Sequence, residues 1–364
     1  MGEQRSVDPG RAGGGPCGSS ADQPRGWSAL LPRCASDRLA SAFLESLEIR
    51  GFSRNTLLAY GRAMESFVAA SGRPLEQVRL DAEAVFTFLA HLRRMPSRQR
   101  GREGRPLAAS TIRQQMCGLR MYAEYLIARG VLDRNPVPVG AVRRTPEGEV
   151  IPIRRGLVRV PRYVPRLPNE EQWSRMLAAL RGRGVRDRLM FALAYDGAFR
   201  RDELVTLRLD DFDFSARQIA VRPERSKNGY GRTVVYSATT GRLLAEYLVD
   251  RRRLAAAAPR TDPPFLFLSA SPRNRGQCVG GFTWGLLAAA LARECDATGF
   301  TTHTLRHLRL TDLARAGLDI VEIAKFGGHR NLGSTMLYIH LSGRDMARAF
   351  ARASGSPMDR LVSL

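Results

Sequence analysis

Four of the five histidines, His303, His307, His329 and His340, fall within 38 residues of a 364-residue chain, which directs attention to its C-terminal third. In His303-Thr304-Leu305-Arg306-His307 the two imidazoles stand four residues apart, a spacing that puts both on one side of a helix. A zinc pair is one reading. It is weakened because no Glu follows His303, as in a zinc-protease helix, and because Arg306 sets a permanent cation beside the ion. A satisfied structural role suits either histidine alone. An arginine beside a histidine serves a phosphate better: the guanidinium fork matches two non-bridging oxygens, and imidazole accepts or donates a proton near neutral pH. Such a site needs further cations and a nucleophile. Arg200 with Glu203 three residues on, and Gly328-His329 with Tyr338 nine residues after the histidine, supply candidates.

Taken together and in order, these segments resemble the catalytic domain of the tyrosine recombinase (phage integrase) family. The family's Thr-Gly-Leu-Arg-x-x-Glu-Leu helix is matched by Arg200, Glu203 and Leu204, and its hairpin-turn lysine by Lys227 in Ser226-Lys227-Asn228-Gly229. Its His-x-x-Arg box is matched by His303 and Arg306, with His307 at the frequent following histidine, and its Gly-His…Tyr motif by Gly328, His329 and Tyr338. Ala198 and Phe199 stand where Gly-Leu is commoner, which reads as a packing change. The resemblance covers residues 169–345.

What the resemblance implies is specific. Tyr338 attacks a scissile phosphate, leaving a 3′-phosphotyrosyl link and a free 5′-hydroxyl, so bond energy is stored without ATP. Arg200 and Arg306 stabilise the pentacoordinate phosphorane, Lys227 protonates the leaving 5′-oxygen, His303 is the general base on Tyr338, and His329 hydrogen-bonds the phosphate. Glu203 and His307 support these groups from behind, and His340 fits the family's frequent Tyr-x-His. No metal or other cofactor is expected. The implied partners are double-stranded DNA and further copies of the chain, as a tetramer on two DNA sites, with accessory DNA-bending or directionality proteins. The implied task is site-specific recombination of the integrase or transposon type.

Elements must hold these residues in place. Asn169 to Gln172 reads as a capping box that opens a domain over 169–345, helical through Leu207. Strands follow at Gln218–Arg222 and Arg232–Ser237, with a short candidate at Phe265–Leu268, and helical patterns run to the end. This predicts a mixed α+β domain with a small antiparallel sheet. Residues 36–130 carry four amphipathic patterns: Leu39, Phe43 and Leu47; Tyr60, Met64, Phe67 and Val68 after Ser53; Val85, Leu89 and Leu92 after Asp81; Ile112, Met116, Leu119 and Leu126 after Ser110. They predict a mainly α domain, which resembles the family's SAM-like core-binding domain, and that resemblance implies DNA binding. Arginines cluster from Arg93 to Arg105, suited to phosphate contact. Residues 131–168, dense in proline and arginine, read as an extended linker. Residues 1–35 read as a disordered leader, and 346–364 as a C-terminal helix or tail docking on a neighbouring protomer.

Composition agrees with a polyanionic partner. Lys and Arg number 57 against 35 Asp and Glu, a formal charge of +22, and phosphate binding by such a surface is driven by counterion release. No apolar run approaches the roughly 18 to 20 residues a spanning helix needs, and the N-terminus lacks a secretory layout, so a cytoplasmic location is expected. The five cysteines form no Cys-x-x-Cys pair, which suits a reducing compartment. Two rival readings remain at this level. Asp210, Asp211 and Asp213 suggest a metal-dependent nuclease. A catalytically inactive DNA-binding regulator on the same scaffold is the other.

Overall fold

The computed structural model describes residues 27–97, 103–138, 141–144, 150–154, 156–160, 165–225, 229–256 and 263–343. The chain divides into two compact units, Met1–Tyr163 and Val164–Leu364.

The first unit is helical: α1 (Pro32–Ser36), α2 (Arg38–Ile49), α3 (Arg54–Ser71), α4 (Ala82–Arg94) and α5 (Ala109–Ala128). Each of α2, α3 and α4 starts where a side-chain oxygen captures an otherwise unpaired helix N–H. Asp37 accepts from Ala40, Ser53 from Thr56 and Asp81 from Ala84. Ser110 does not cap α5; the helix begins one residue earlier and Ala108 occupies the cap position. The apolar stripes of all four longer helices converge on one core that includes Phe43, Met64, Phe67, Phe88, Leu119 and Tyr122.

Two expectations need correction here. The leader was expected to run to residue 35, but Trp27, Leu31 and Cys34 are buried in this core. A Gly-Pro-Ser-Arg composition hid three well-spaced apolar side chains. The linker likewise contains more structure than its prolines suggest: β1 (Ala141–Arg144) and β2 (Val150–Arg154) pair antiparallel, and Val137, Leu157 and Val158 pack on the first unit.

The second unit runs α6 (Glu170–Arg181), α7 (Val185–Asp196), α8 (Arg201–Val205), β3 (Phe212–Asp213), β4 (Gln218–Val221), β5 (Arg232–Val235), α9 (Ala238–Ala256), α10 (Gly281–Glu294), α11 (Thr302–Ala316), α12 (Ile320–Gly327) and α13 (Met336–Ser342). The Asn169–Gln172 capping box is present, with both reciprocal hydrogen bonds. The sheet order is β3-β4-β5, antiparallel throughout, and Ile219, Val221 and Val234 turn inward onto a core with Phe191, Trp284 and Leu305. The strand expected at Phe265–Leu268 reduces to two isolated bridges, Arg208 with Phe265 and Leu268 with Cys278. β3 was not foreseen, because two residues carry no readable alternation.

Candidate active site

Helix α11 supplies three of the candidate residues. Its start is fixed by Thr301 and Thr304, which cap reciprocally, so the following turn presents His303, Arg306 and His307 in a set geometry. Arg306 points inward and is 1% exposed. It donates from Nη1 to the Ala198 carbonyl at 2.6 Å, and from Nη2 to the Gly327 carbonyl and to His329 Nε2, the latter at 2.8 Å. Burial, with Arg200 and Arg232 close by, lowers its pKa to about 10, so it stays a cation at neutral pH.

Arg200 immediately precedes α8. It donates from Nη1 to Glu203 Oε1 at 2.7 Å and from Nη2 to the Gly328 carbonyl at 3.1 Å. Glu203 is buried and shared. Arg232, on β5, meets both of its carboxylate oxygens at 3.0 and 2.7 Å and also donates to the Phe326 carbonyl at 2.9 Å. Burial works against the carboxylate's charge, but the hydrogen bonds and charges of Arg232 and Arg200 prevail and hold its pKa at about 2. One carboxylate therefore aligns two arginines. With Arg306 the site carries three cations against one anion, a preorganised positive field.

The turn before Arg200 is strained. Ala198 has φ 47, the left-handed region, and is fully buried, while the Phe199 ring lies where a Cβ on Gly197 would sit. The expected packing change at Ala198 is thus also a backbone cost of about 1–2 kcal/mol for an L side chain. Ala198→Gly is expected to stabilise the second unit by about 1 kcal/mol, since glycine's larger unfolded-state entropy offsets part of that relief. Urea unfolding would check this through a raised midpoint at unchanged slope.

The nucleophile candidate sits on α13, which packs on α11. Tyr338 is 2% exposed, in a small cluster with Ala198, Leu310, Ala314 and Ile323. Its ring stacks on His329, with centroids 5.8 Å apart and planes 7° from parallel. Its hydroxyl lies 3.1 Å from His307 Nδ1. Burial raises the phenol's pKa, opposed by Arg306 and Arg200. His303 lies on the exposed first turn of α11, edge-on to His307 at 4.6 Å between centroids. His307, expected only to support the site, is the histidine at the Tyr338 hydroxyl.

His329 follows Gly328, whose φ of 63 ends α12 in the left-handed conformation glycine adopts cheaply. Its Nδ1 lies 2.9 Å from Thr335 Oγ1. Burial first, then Arg306, Arg200, Arg232 and His303, lower its pKa to about 3; burial, His303 and Arg306 lower that of His307 to about 4. Both rings are neutral at pH 7. Because the unfolded chain would protonate them near 6.5, it binds more protons between about pH 3 and 6.5, and stability falls as pH falls through that window. Urea midpoints at pH 7 and pH 4.5 should therefore differ less in His307→Gln than in the parent.

Lys227 lies outside the described residues; the strands on either side, β4 and β5, are paired as expected. His340 is described only as part of α13. Arg232 and Thr335 were missed in the sequence. Arg232 is one of many arginines with no motif of its own, and Thr335 gave no signal beyond lying three residues before Tyr338.

The rival carboxylates are otherwise engaged. Asp210 and Asp211 pair with Arg222 at 2.7 and 2.5 Å, and Asp213 accepts from the Ser215 and Ala216 amides that close its turn. Among the described residues no group of three His, Cys, Asp or Glu gathers where one metal ion would bind, and no helix is long and apolar enough to cross a membrane.

The phage integrase family model matches residues 167–344. Tyrosine recombinase XerC of Chromohalobacter salexigens is 30% identical over 318 residues, covering 85% of this chain and 93% of the relative. Tyrosine recombinase XerD of Caulobacter vibrioides is 27% identical over 322 residues, covering 85% and 93%. Among solved structures, the Tn1549 transposon integrase in complex with transposon right-end DNA superposes with a TM-score of 0.61 at 17% identity, covering 86% of this chain and 99% of that one. The XerH site-specific recombinase bound to a palindromic difH substrate gives 0.57 at 15%, covering 89% and 94%. These two share the fold. The fold is that of the tyrosine recombinase integrases. The chain belongs to the tyrosine recombinases of the phage integrase family.

Proposed function

We propose that this chain recombines DNA at a specific site by a metal-free transesterification in which Tyr338 is the nucleophile. As a tyrosine recombinase it is a site-specific DNA recombinase; the roles of the described residues are inferred from geometry and resemblance together, and that of Lys227 from the resemblance alone. The observation that carries them is the convergence of Arg200, Arg306, His307 and His329 on one buried phenol. The Tyr338 oxygen bonds to phosphorus, the bond from phosphorus to the 5′-oxygen breaks, and the DNA 3′ end stays on the enzyme. His307, neutral and 3.1 Å away, can receive the phenolic proton when its Nδ1 is the unprotonated nitrogen. His303, the family's base, stands beside it and would take over if the α11 face shifts on DNA. Lys227 would return a proton to the 5′-oxygen. Arg200 and Arg306 balance the charge that grows on phosphorus. Rejoining reverses these steps with the 5′-hydroxyl of a second strand, within a tetramer on two DNA sites in the cytoplasm, as an integrase or transposon-type recombinase.

A pool of randomised duplexes, each nicked so that a cleaved end diffuses away, tests this in the presence of a chelator. Adducts that survive detergent are expected with the parent and absent with Tyr338→Phe. Cleavage abolished by chelator yet retained in Tyr338→Phe would instead favour a metal-dependent nuclease.

A further inference from the structure

Thr335 is 0% exposed and touches two parts of the site at once. Its side-chain oxygen lies 2.9 Å from His329 Nδ1, and its carbonyl accepts from the Tyr338 amide at 2.9 Å. The ring it holds is the one stacked on Tyr338. The hydrogen bonds fix the ring's tautomer. Arginine only donates, so His329 Nε2, facing Arg306 Nη2, must accept. The neutral ring then carries its proton on Nδ1 and donates it to Thr335.

We propose that Thr335 is a positioning residue that sets the plane of His329 by accepting from the Nδ1–H that Arg306 imposes and, because its hydroxyl both accepts and donates, permits the opposite tautomer once a phosphate is bound. This rests on the recombinase reading above. In the free protein Nδ1–H donates to Thr335 and Nε2 accepts from Arg306. When phosphate oxygens take Arg306, one proton leaves Nδ1 for water and one reaches Nε2 from water. The ring stays neutral, Thr335 now donates to Nδ1, and Nε2–H donates to a phosphate oxygen. Valine has nearly the same shape and can do neither; serine can do both. A buried carboxylate in its place would only accept and would lock the first state.

The test uses the full chain with 15N-labelled histidine, and the nicked duplex recovered by covalent capture. In the free parent, in Thr335→Ser and in Thr335→Val alike, His329 is expected to show the Nδ1-protonated pattern that Arg306 imposes, with Nδ1–H deprived of its acceptor in Thr335→Val. Adduct formation should slow on the order of 10- to 100-fold in Thr335→Val, by analogy with the loss when the hydrogen-bond partner orienting a metal-bound imidazole is removed. Thr335→Ser should stay within about 3-fold of the parent, with DNA affinity unchanged in both, as expected when the loss is confined to the reacting step. An Nε2-protonated His329 in the free parent, or Thr335→Val cleaving as the parent does, would overturn the proposal. So would Thr335→Ser as slow as Thr335→Val, which would mark a packing role. If Thr335→Val does not fold, Thr335→Ala takes its place, with the same loss of rate expected and the parent's rate overturning the proposal. An adduct in Tyr338→Phe would overturn the nucleophile reading instead, whatever Thr335 does.

Discussion

Arg306→Lys is expected to bind DNA within a few-fold of the parent and to cleave it roughly 10²- to 10³-fold more slowly, the loss typical of removing one preorganised donor from a developing oxyanion. Affinity is spread over many phosphate contacts on a chain of net charge +22, so one buried cation contributes little to it. The chemical step depends on shape. Arg306 uses its fork to bridge two carbonyls and His329, holding Ala198 before Arg200 and Gly327 before the His329 loop at one distance. A lysine ammonium keeps the charge but loses the planar fork, so it cannot hold all three and still face a phosphate. Filter binding and single-turnover cleavage on the captured duplex separate the two quantities; equal losses in both would contradict this role.

Glu203→Ala is expected to be the most destabilising single change at the site, by about 3–5 kcal/mol, because it leaves buried charge uncompensated. Arg232, whose side chain is 4% exposed, would lose both of its carboxylate bonds, and Arg200 would lose its 2.7 Å partner. Three arginines would then face one another without an anion. For a second unit of about 200 residues this corresponds to a melting point lower by roughly 10 °C. Glu203→Gln, which keeps the shape and one acceptor oxygen, should lose less. A drop below about 1 kcal/mol for the alanine variant would mean the arginines find other partners, and that Glu203 does not organise them.

How much of this could be read from the sequence depended on whether a residue works within a short segment or across the fold. Arg200, Arg306, His329 and Tyr338 were legible because each sits in a compact spacing pattern, and the structure brings all four together. Arg232 was not, since its partner Glu203 is 29 residues away and its only mark is being one basic residue among 57. The pairing of His307 rather than His303 with Tyr338 was also hidden. Both face the same side of α11, and only the docking of α13 decides which meets the hydroxyl. Strain at Ala198 was masked for another reason: alanine is unremarkable until its φ is known to be 47. In the fold, the long amphipathic helices were readable from their periodicity. The core residues Trp27, Leu31 and Cys34 were not, because they sit at the edge of a composition that resembles a disordered leader. Lys227 stays an expectation from the resemblance.

The central claim is that Tyr338 carries the DNA. Cleavage after Arg330 and Arg344 by trypsin releases residues 331–344, a peptide in which Tyr338 is the only tyrosine. Mass spectrometry of the nuclease-trimmed covalent complex is expected to find a nucleotide joined through its 3′-phosphate to Tyr338 in that peptide. A nucleotide on any other residue, or a 5′-phosphate linkage, would contradict the account.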